Sequence, residues 1–358
     1  MATPPREVII GLKYDNTDIT VDVAPYLESF HFGDRTQTAK MDDLSITLQD
    51  TDALWRGGWL PNRGAKLEAV IKAFNWFDYG DSFERKCGSF EVDDVTCSGP
   101  VSLCQISAVP VGITNSIRMQ QNTKAWENIT IKQIAEDIAE KHGFKLEWYS
   151  DPNPDIVRWD QLGQSDASVL IDICEYAGMM IKITDESIVI YNSEEFDAKK
   201  PVGYIVRSDD TVKSWEFNMN CMGIYAAAEI KYYDPRKKEL IDYIYYPDGV
   251  AGPKKDEEKG DIPDPEVGQI LKINRRVEGI DVAEVVAKAA LRSKNMRQVR
   301  GTLTTMGRPD LYSGMNINVY GFRRWDSVIW NIEEISHDYS KSSGYTSSLT
   351  LRGILEEY

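Results

Sequence analysis

The stretch that decides the fold closes the chain: IEEISHDYSKSSGYTSSLTLRG, residues 332–353. It holds His337, one of only three histidines, beside Asp338 and shortly before a Ser-rich turn. These are the residue types of a hydrolytic triad. A triad, however, needs nucleophile, base and orienting group to converge through space from separate loops. Neighbours on a strand point to opposite faces, so His337 and Asp338 make a poor base–orienter pair. No G-x-S-x-G elbow occurs anywhere in the chain. The better reading is two strands joined by a turn, with His337 making a structural hydrogen bond.

Working back from this hairpin, RGTLTT, MNINVYG and VIWNIEEIS read as further strands, punctuated by the turns GRPDLYSG and GFRRWDS. Helix periodicity appears at 281–296, with Asp281 as the expected cap and Val282, Val285, Val286, Ala289 and Ala290 on one side. Residues 249–268 are rich in Gly, Pro and charge and have no apolar period, so they read as a flexible insert. Before it, Ile224, Ala226, Ala228, Ile230 and Tyr232 alternate. After a turn at Asp234-Pro235, Ile241, Tyr243 and Tyr245 alternate back, a strong hairpin signal.

The middle of the chain has another character. Ile131, Ile134, Ala135, Ile138 and Ala139 recur at helix spacing, with Thr130 to cap the start and Gly143 to follow the end. The layout repeats about 35 residues on. There Asp166 is the expected cap, Val169, Leu170, Ile173 and Cys174 the stripe, and Gly178 the stop. The first 110 residues return to strand patterns. Leu44, Ile46 and Leu48 alternate with polar neighbours, as do Leu67, Ala69, Ile71 and Ala73. The expected fold is α+β and β-rich, with two barrel-like β domains (1–110 and 201–358) flanking a small α+β domain (111–200).

Composition narrows the function. A net charge of −16 argues against a nucleic-acid binder, which needs clustered cations. The five cysteines show no C-x-x-C spacing, which suggests reduced, partly buried thiols rather than a disulfide framework or a metal site. The opening MATPPREVII has neither the basic nor the apolar part of a signal peptide, and no apolar run nears the ~20 residues of a membrane span. The expectation is synthesis in the cytoplasm. There is no H-E-x-x-H, no G-x-x-x-x-G-K and no G-x-G-x-x-G, so no metal or cofactor is expected. His142, before Gly143, is accounted for by the helix dipole, and Cys174 by its place on an apolar stripe. Trp55, Trp59, Phe322 and Trp325 fall in turns. They suit a partner's pocket or a sugar, and equally the plugged end of a barrel.

Several phrases resemble the tail baseplate hub proteins of the phage late control protein D family, relatives of the N-terminal part of the VgrG spikes of type VI secretion. The opening matches in Asp43, Leu44, Ile46, Leu48 and Asp50, then Pro61, Gly64 and Leu67. The middle matches in Gln164, Ser165, Asp166, Leu170 and Gly178. At the end, Gly314, Ile317, Val319 and Gly321 lead to Ile332, Ile335, His337, Gly344, Tyr345, Leu349 and Leu351. Trp330 departs from the family's frequent Tyr, and the 249–268 insert has no counterpart in the pattern.

The resemblance implies a non-enzymatic homotrimer whose two tube-like β domains per subunit match a hexameric tail tube to a trimeric spike, with other baseplate proteins as further partners. It implies assembly into a phage or phage-like tail particle in the bacterial host. The chain ends at Tyr358 without the needle of a full spike, which suggests a separate hub. The negative charge suggests an acidic bore. The alternatives are a tail-tip cell-wall hydrolase using a carboxylate pair, or a glycan-binding module using the loop tryptophans.

Overall fold

Every second side chain of Leu44–Leu48 and of Leu67–Ala73 is buried, while the residues between them stay half-exposed. That alternation builds one large sheet with a dry face and a wet face. The computed structural model describes residues 4–36, 41–111, 117–184, 186–209, 211–220, 223–234, 238–247, 269–277 and 279–354. The 249–268 insert lies outside them, as do Pro235 of the expected turn and Cys221.

The N-terminal region holds β1 (Glu7–Tyr14), β2 (Thr17–Asp18), α1 (Thr20–Val23), β3 (Leu27–Arg35), β4 (Asp43–Gln49), β5 (Lys66–Phe74), β6 (Ser82–Ser98) and β7 (Leu103–Pro110). The middle holds β8 (Gln121–Thr130), α2 (Ile131–His142), β9 (Lys145–Tyr149), β10 (Asp155–Ser165), α3 (Asp166–Ala177), β11 (Met179–Ile183), β12 (Ser187–Asn192) and α4 (Ser193–Asp197). Then come β13 (Gly203–Val206), β14 (Val212–Met219), β15 (Ala227–Asp234), β16 (Glu239–Tyr245), β17 (Ile270–Ile273) and α5 (Ile280–Asn295). The chain closes with β18 (Val299–Met306), β19 (Asn316–Tyr320), β20 (Ile329–Ser340) and β21 (Gly344–Ile354).

The opening hairpin is β20–β21, and it is the seam of the molecule. The two β regions share a single 13-stranded sheet, running β14-β18-β21-β20-β3-β4-β7-β6-β5-β1-β2, with β19 and β13 branching from β20. The joint is the antiparallel pairing of β20 with β3, from Glu334 opposite Arg35 to Ser340 opposite Ser29. Two cores lie on the dry face. One gathers Phe30, Leu44, Ile71 and Phe90. The other gathers Trp330, Ile317, Ile335 and Leu351.

The expected paired helices form. Thr130 caps α2 with a full capping box to Gln133, and Gly143 takes the left-handed conformation after it. Two expected caps differ. Ser165 caps α3, accepting from the Ser168 amide at 3.2 Å, while Asp166 turns inward as the first helical residue. Helix α5 begins at Ile280 after Gly279 with no side-chain cap, and Asp281 sits in its first turn. A first-turn carboxylate still complements the helix dipole.

The expected hairpin forms as β15–β16, with Ile230 opposite Tyr243 and Tyr232 opposite Ile241; Ile224 and Ala226 of the expected alternation precede the strand. Its packing differs from the expected division of the chain. Ala228, Ile230, Val286 and Leu291 share one core with Ile134 and Leu170 of the helical region. A close approach of the two helices accompanies this packing. Gly178 leaves room for Ala289 of α5 beside the end of α3, where an added Cβ would come within 2.9 Å.

Candidate functional site

On both sides of the seam the wet face of the sheet carries rows of short hydroxyl side chains. Across β14, β18, β21 and β20, Ser214, Thr304, Ser348 and Ser336 lie in one register row. A second row runs Thr346, Asp338, His31, Ser45 and Ser107 across the seam into β7. A third runs Ser340, Ser29, Thr47 and Gln105. None of these residues is buried. Such rows offer little apolar area.

A compensated patch of charge lies at the seam. Asp338 holds His31 Nδ1 at 2.6 Å and Asp43 lies 3.4 Å from Nε2. Arg35 donates to Glu334 at 2.7 Å and pairs with Asp43. The hydrogen bonds to Asp338 and Asp43 raise the His31 pKa to about 9, so the imidazole is a cation at neutral pH.

Buried polar nodes hold the regions together. Asp34, 1 % exposed, accepts from Lys182 Nζ at 2.5 Å, the Ser313 amide at 3.1 Å, the Ser313 hydroxyl and Arg85. Asp197 takes Arg352 through both terminal nitrogens, at 2.7 and 3.0 Å, and Arg292 at 2.5 Å. Asp166 accepts from Gln161 and His142 at 2.8 Å, Lys141 at 2.7 Å and Asn122 at 3.1 Å. Burial alone would raise the Asp166 carboxyl, but these donors outweigh it and hold it down at about 2. The helix-dipole account of His142 is therefore incomplete, because its partner is this carboxylate. None of the three nodes has a local sequence signal. Their partners lie up to 279 residues away.

His337 is fully buried, its Nδ1 2.8 Å from the Tyr345 hydroxyl and 3.2 Å from Ser347 Oγ. Asp338 faces the other way, toward His31, as strand geometry requires. The two do not form a catalytic pair.

The four turn aromatics separate. Trp55 is 5 % exposed, its amide donating to Asp50 at 2.9 Å. Trp59, 44 % exposed, stands edge-on to it at 5.4 Å. Together with Leu12, Tyr14, Val23 and Leu60 they line an apolar cleft of about 320 Å³ at one end of the N-terminal core. Phe322 is buried against Trp215 and Phe217, with centroids 5.4 and 5.3 Å away. Trp325 is half-buried, 6.1 Å from Trp330. Phe322 and Trp55 are thus core residues of this chain, and Trp59 is the most exposed of the four.

No family model and no curated protein matches this sequence. Solved structures do match its fold. The 43 kDa tail protein of prophage MuSo2 from Shewanella oneidensis aligns with 96% of this chain and 98% of its own, at 15% identity and a TM-score of 0.66. A tail protein from Neisseria meningitidis aligns over 96% of both chains at 12% identity and a TM-score of 0.66. An Escherichia coli component of the type VI secretion system, described as structurally similar to the T4 bacteriophage tail proteins gp27 and gp5, aligns with 93% of this chain and 75% of its own. Its identity is 10% and its TM-score 0.54. This chain has the fold of phage tail proteins.

Proposed function

We propose that this chain is a structural hub subunit of a phage-like tail baseplate. Three copies would close into a ring that joins a hexameric tail tube to a trimeric spike, with other baseplate proteins docking outside. The observation that carries this reading is the single sheet. One chain contributes two β regions, each with its own core, fused at β20–β3 into one wall. One side of that wall is dry and the other hydroxyl-lined, as the side of a water-filled passage must be. Two β regions per subunit and three subunits supply the six-fold character that a hexameric partner needs.

Near the seam this side of the wall carries mainly Ser and Thr, with Asp338, Asp43 and Glu334 beside His31 and Arg35. A neutral hydroxyl lining suits transit of a polymer because it offers neither apolar patches nor unpaired charges to hold it.

Enzyme chemistry finds little support. Asp50, Asp166, Asp197 and Glu333 are buried and each faces an arginine, lysine or histidine. These four brace the fold, and none of them is free to act in glycoside hydrolysis. The subunit is made in the host cytoplasm and ends in the tail particle.

Light scattering across a concentration series tests the reading. A species near three times 40.6 kDa is expected. A monomer at every concentration that also fails to co-purify with tail tube or spike protein would sink it.

A further inference from the structure

Spacing along the chain gives no reason to pair any two cysteines, but the fold puts two of them together. Cys97 and Cys104 are direct cross-strand partners at the tip of the β6–β7 hairpin. Their sulfurs are 3.1 Å apart. Directly opposed residues of an antiparallel pair have Cα atoms roughly 4.5–5.5 Å apart, inside the range a disulfide spans. Cys97 is exposed at the strand end, whereas Cys104 is fully buried behind it.

We propose that Cys97 and Cys104 form a reversible oxidation site, closed into a cross-strand disulfide by a small-molecule disulfide such as oxidised glutathione. The Cys97 thiolate attacks one glutathione sulfur, forming a mixed disulfide and expelling one glutathione thiolate. The Cys104 thiolate then attacks the Cys97 sulfur and expels the second. Two protein thiols are oxidised, one glutathione disulfide is reduced to two thiols, and both protein protons pass to solvent and the leaving thiolates. Exposure makes Cys97 the point of entry. Burial, and then the neighbouring Cys97, raise the Cys104 thiol, which slows the resolving step that the 3.1 Å sulfur separation permits.

The clamp has a route into the apolar cleft. The Ser102 carbonyl, in the turn that the disulfide would close, accepts the Asp50 amide at 2.8 Å. The Asp50 carboxylate in turn accepts from the Trp55 amide and from Arg56 Nε. A chain folded under reducing conditions carries the dithiol. Oxidation then stiffens the hairpin tip and the loop bearing Trp55 and Trp59. This inference stands independently of the hub reading.

The test is a non-reducing chymotryptic map, cutting at Leu103, of the full chain incubated with excess oxidised glutathione. The expected result is a Cys97–Cys104 bridged peptide and the loss of two of the five titratable thiols, restored by dithiothreitol. Cys97→Ser, at an exposed position that leaves the core untouched, abolishes the loss. Cys104→Ser accumulates a stable glutathione adduct on Cys97. The proposal is overturned if the unaltered chain stops at that adduct, does not react, or bridges to another cysteine.

Discussion

The ammonium of Lys182, on β11 of the helical region, lies 2.5 Å from the carboxylate of Asp34 at the end of β3. The same carboxylate takes Arg85 from the N-terminal β region and Ser313 from the C-terminal one. One buried side chain thereby fastens three parts of the chain. Removing a partner from a buried, paired charge leaves the remaining charges unsatisfied.

Asp34→Asn keeps the shape of the side chain but strands Lys182 and Arg85. The expected cost is about 3 kcal/mol of unfolding free energy. Guanidinium denaturation followed by tryptophan fluorescence reads it. A loss below about 1 kcal/mol would show that Asp42, 3.6 Å from Lys182, substitutes for Asp34.

The two buried or half-buried histidines of the seam act on opposite limbs of the pH–stability curve. His31 has its pKa raised to about 9 from 6.5. Its contribution is complete below 6.5 and disappears as pH rises through about 9. Burial lowers His337 from 6.5 to about 4. The unfolded chain therefore binds the proton more readily in that window, and stability drops as pH falls from 6.5 toward 4. Thermal midpoints across this range should show both limbs. His31→Gln should flatten the alkaline limb alone, and an unchanged alkaline slope would refute the assignment.

Gly307 is where the N-terminal and C-terminal cores meet. Its carbonyl accepts from Trp76 Nε1 at 2.6 Å, and a Cβ there would lie 2.1 Å from the Tyr345 ring. Gly307→Ala forces Tyr345 off both Trp76 and His337. A loss of about 1–3 kcal/mol is expected from overpacking. Gly58→Ala, with nothing within 4 Å of the new methyl, is the matched control and should leave the denaturation midpoint nearly unchanged.

Trp55 and Trp59 stand in contact but should fail differently. Trp55→Ala opens a cavity in the N-terminal core and should cost about 3–5 kcal/mol. Trp59→Ala should cost about 1 kcal/mol or less. If the cleft end of the subunit meets a neighbouring copy, Trp59→Ala also lowers the solution mass from trimer toward monomer. A trimer as stable as that of the unaltered chain would remove Trp59 from the interface.

Much of this was legible from periodicity. The alternation at Leu44–Leu48 and Leu67–Ala73, the cap at Thr130, the helix-ending glycines Gly143 and Gly178, and the alternating arms of the β15–β16 hairpin all rest on local pattern. So does the exclusion of a His337–Asp338 catalytic pair, since the pleat alone separates their side chains. Where two residues competed for one local role, as Ser165 and Asp166 did, pattern reading chose wrongly. Asp166 had a stronger claim on distant donors than on its own helix.

Residue pattern was enough to locate many of the strands and helices and their dry faces, such as Leu44–Leu48, Leu67–Ala73 and Ile131–Ala139, because those are short-range consequences of side-chain size and period; strands such as Gln121–Thr130 and Asp155–Ser165 carried no such pattern. Only the tertiary structure decided that β20 pairs with β3 to make one wall, and that α5 joins the helical core. It alone placed Asp34, Asp197 and Cys97 beside their partners. Strand edges are chemically alike along their backbones, and a carboxylate does not encode which of many cations it will meet. Those choices are made by the packing of the whole chain.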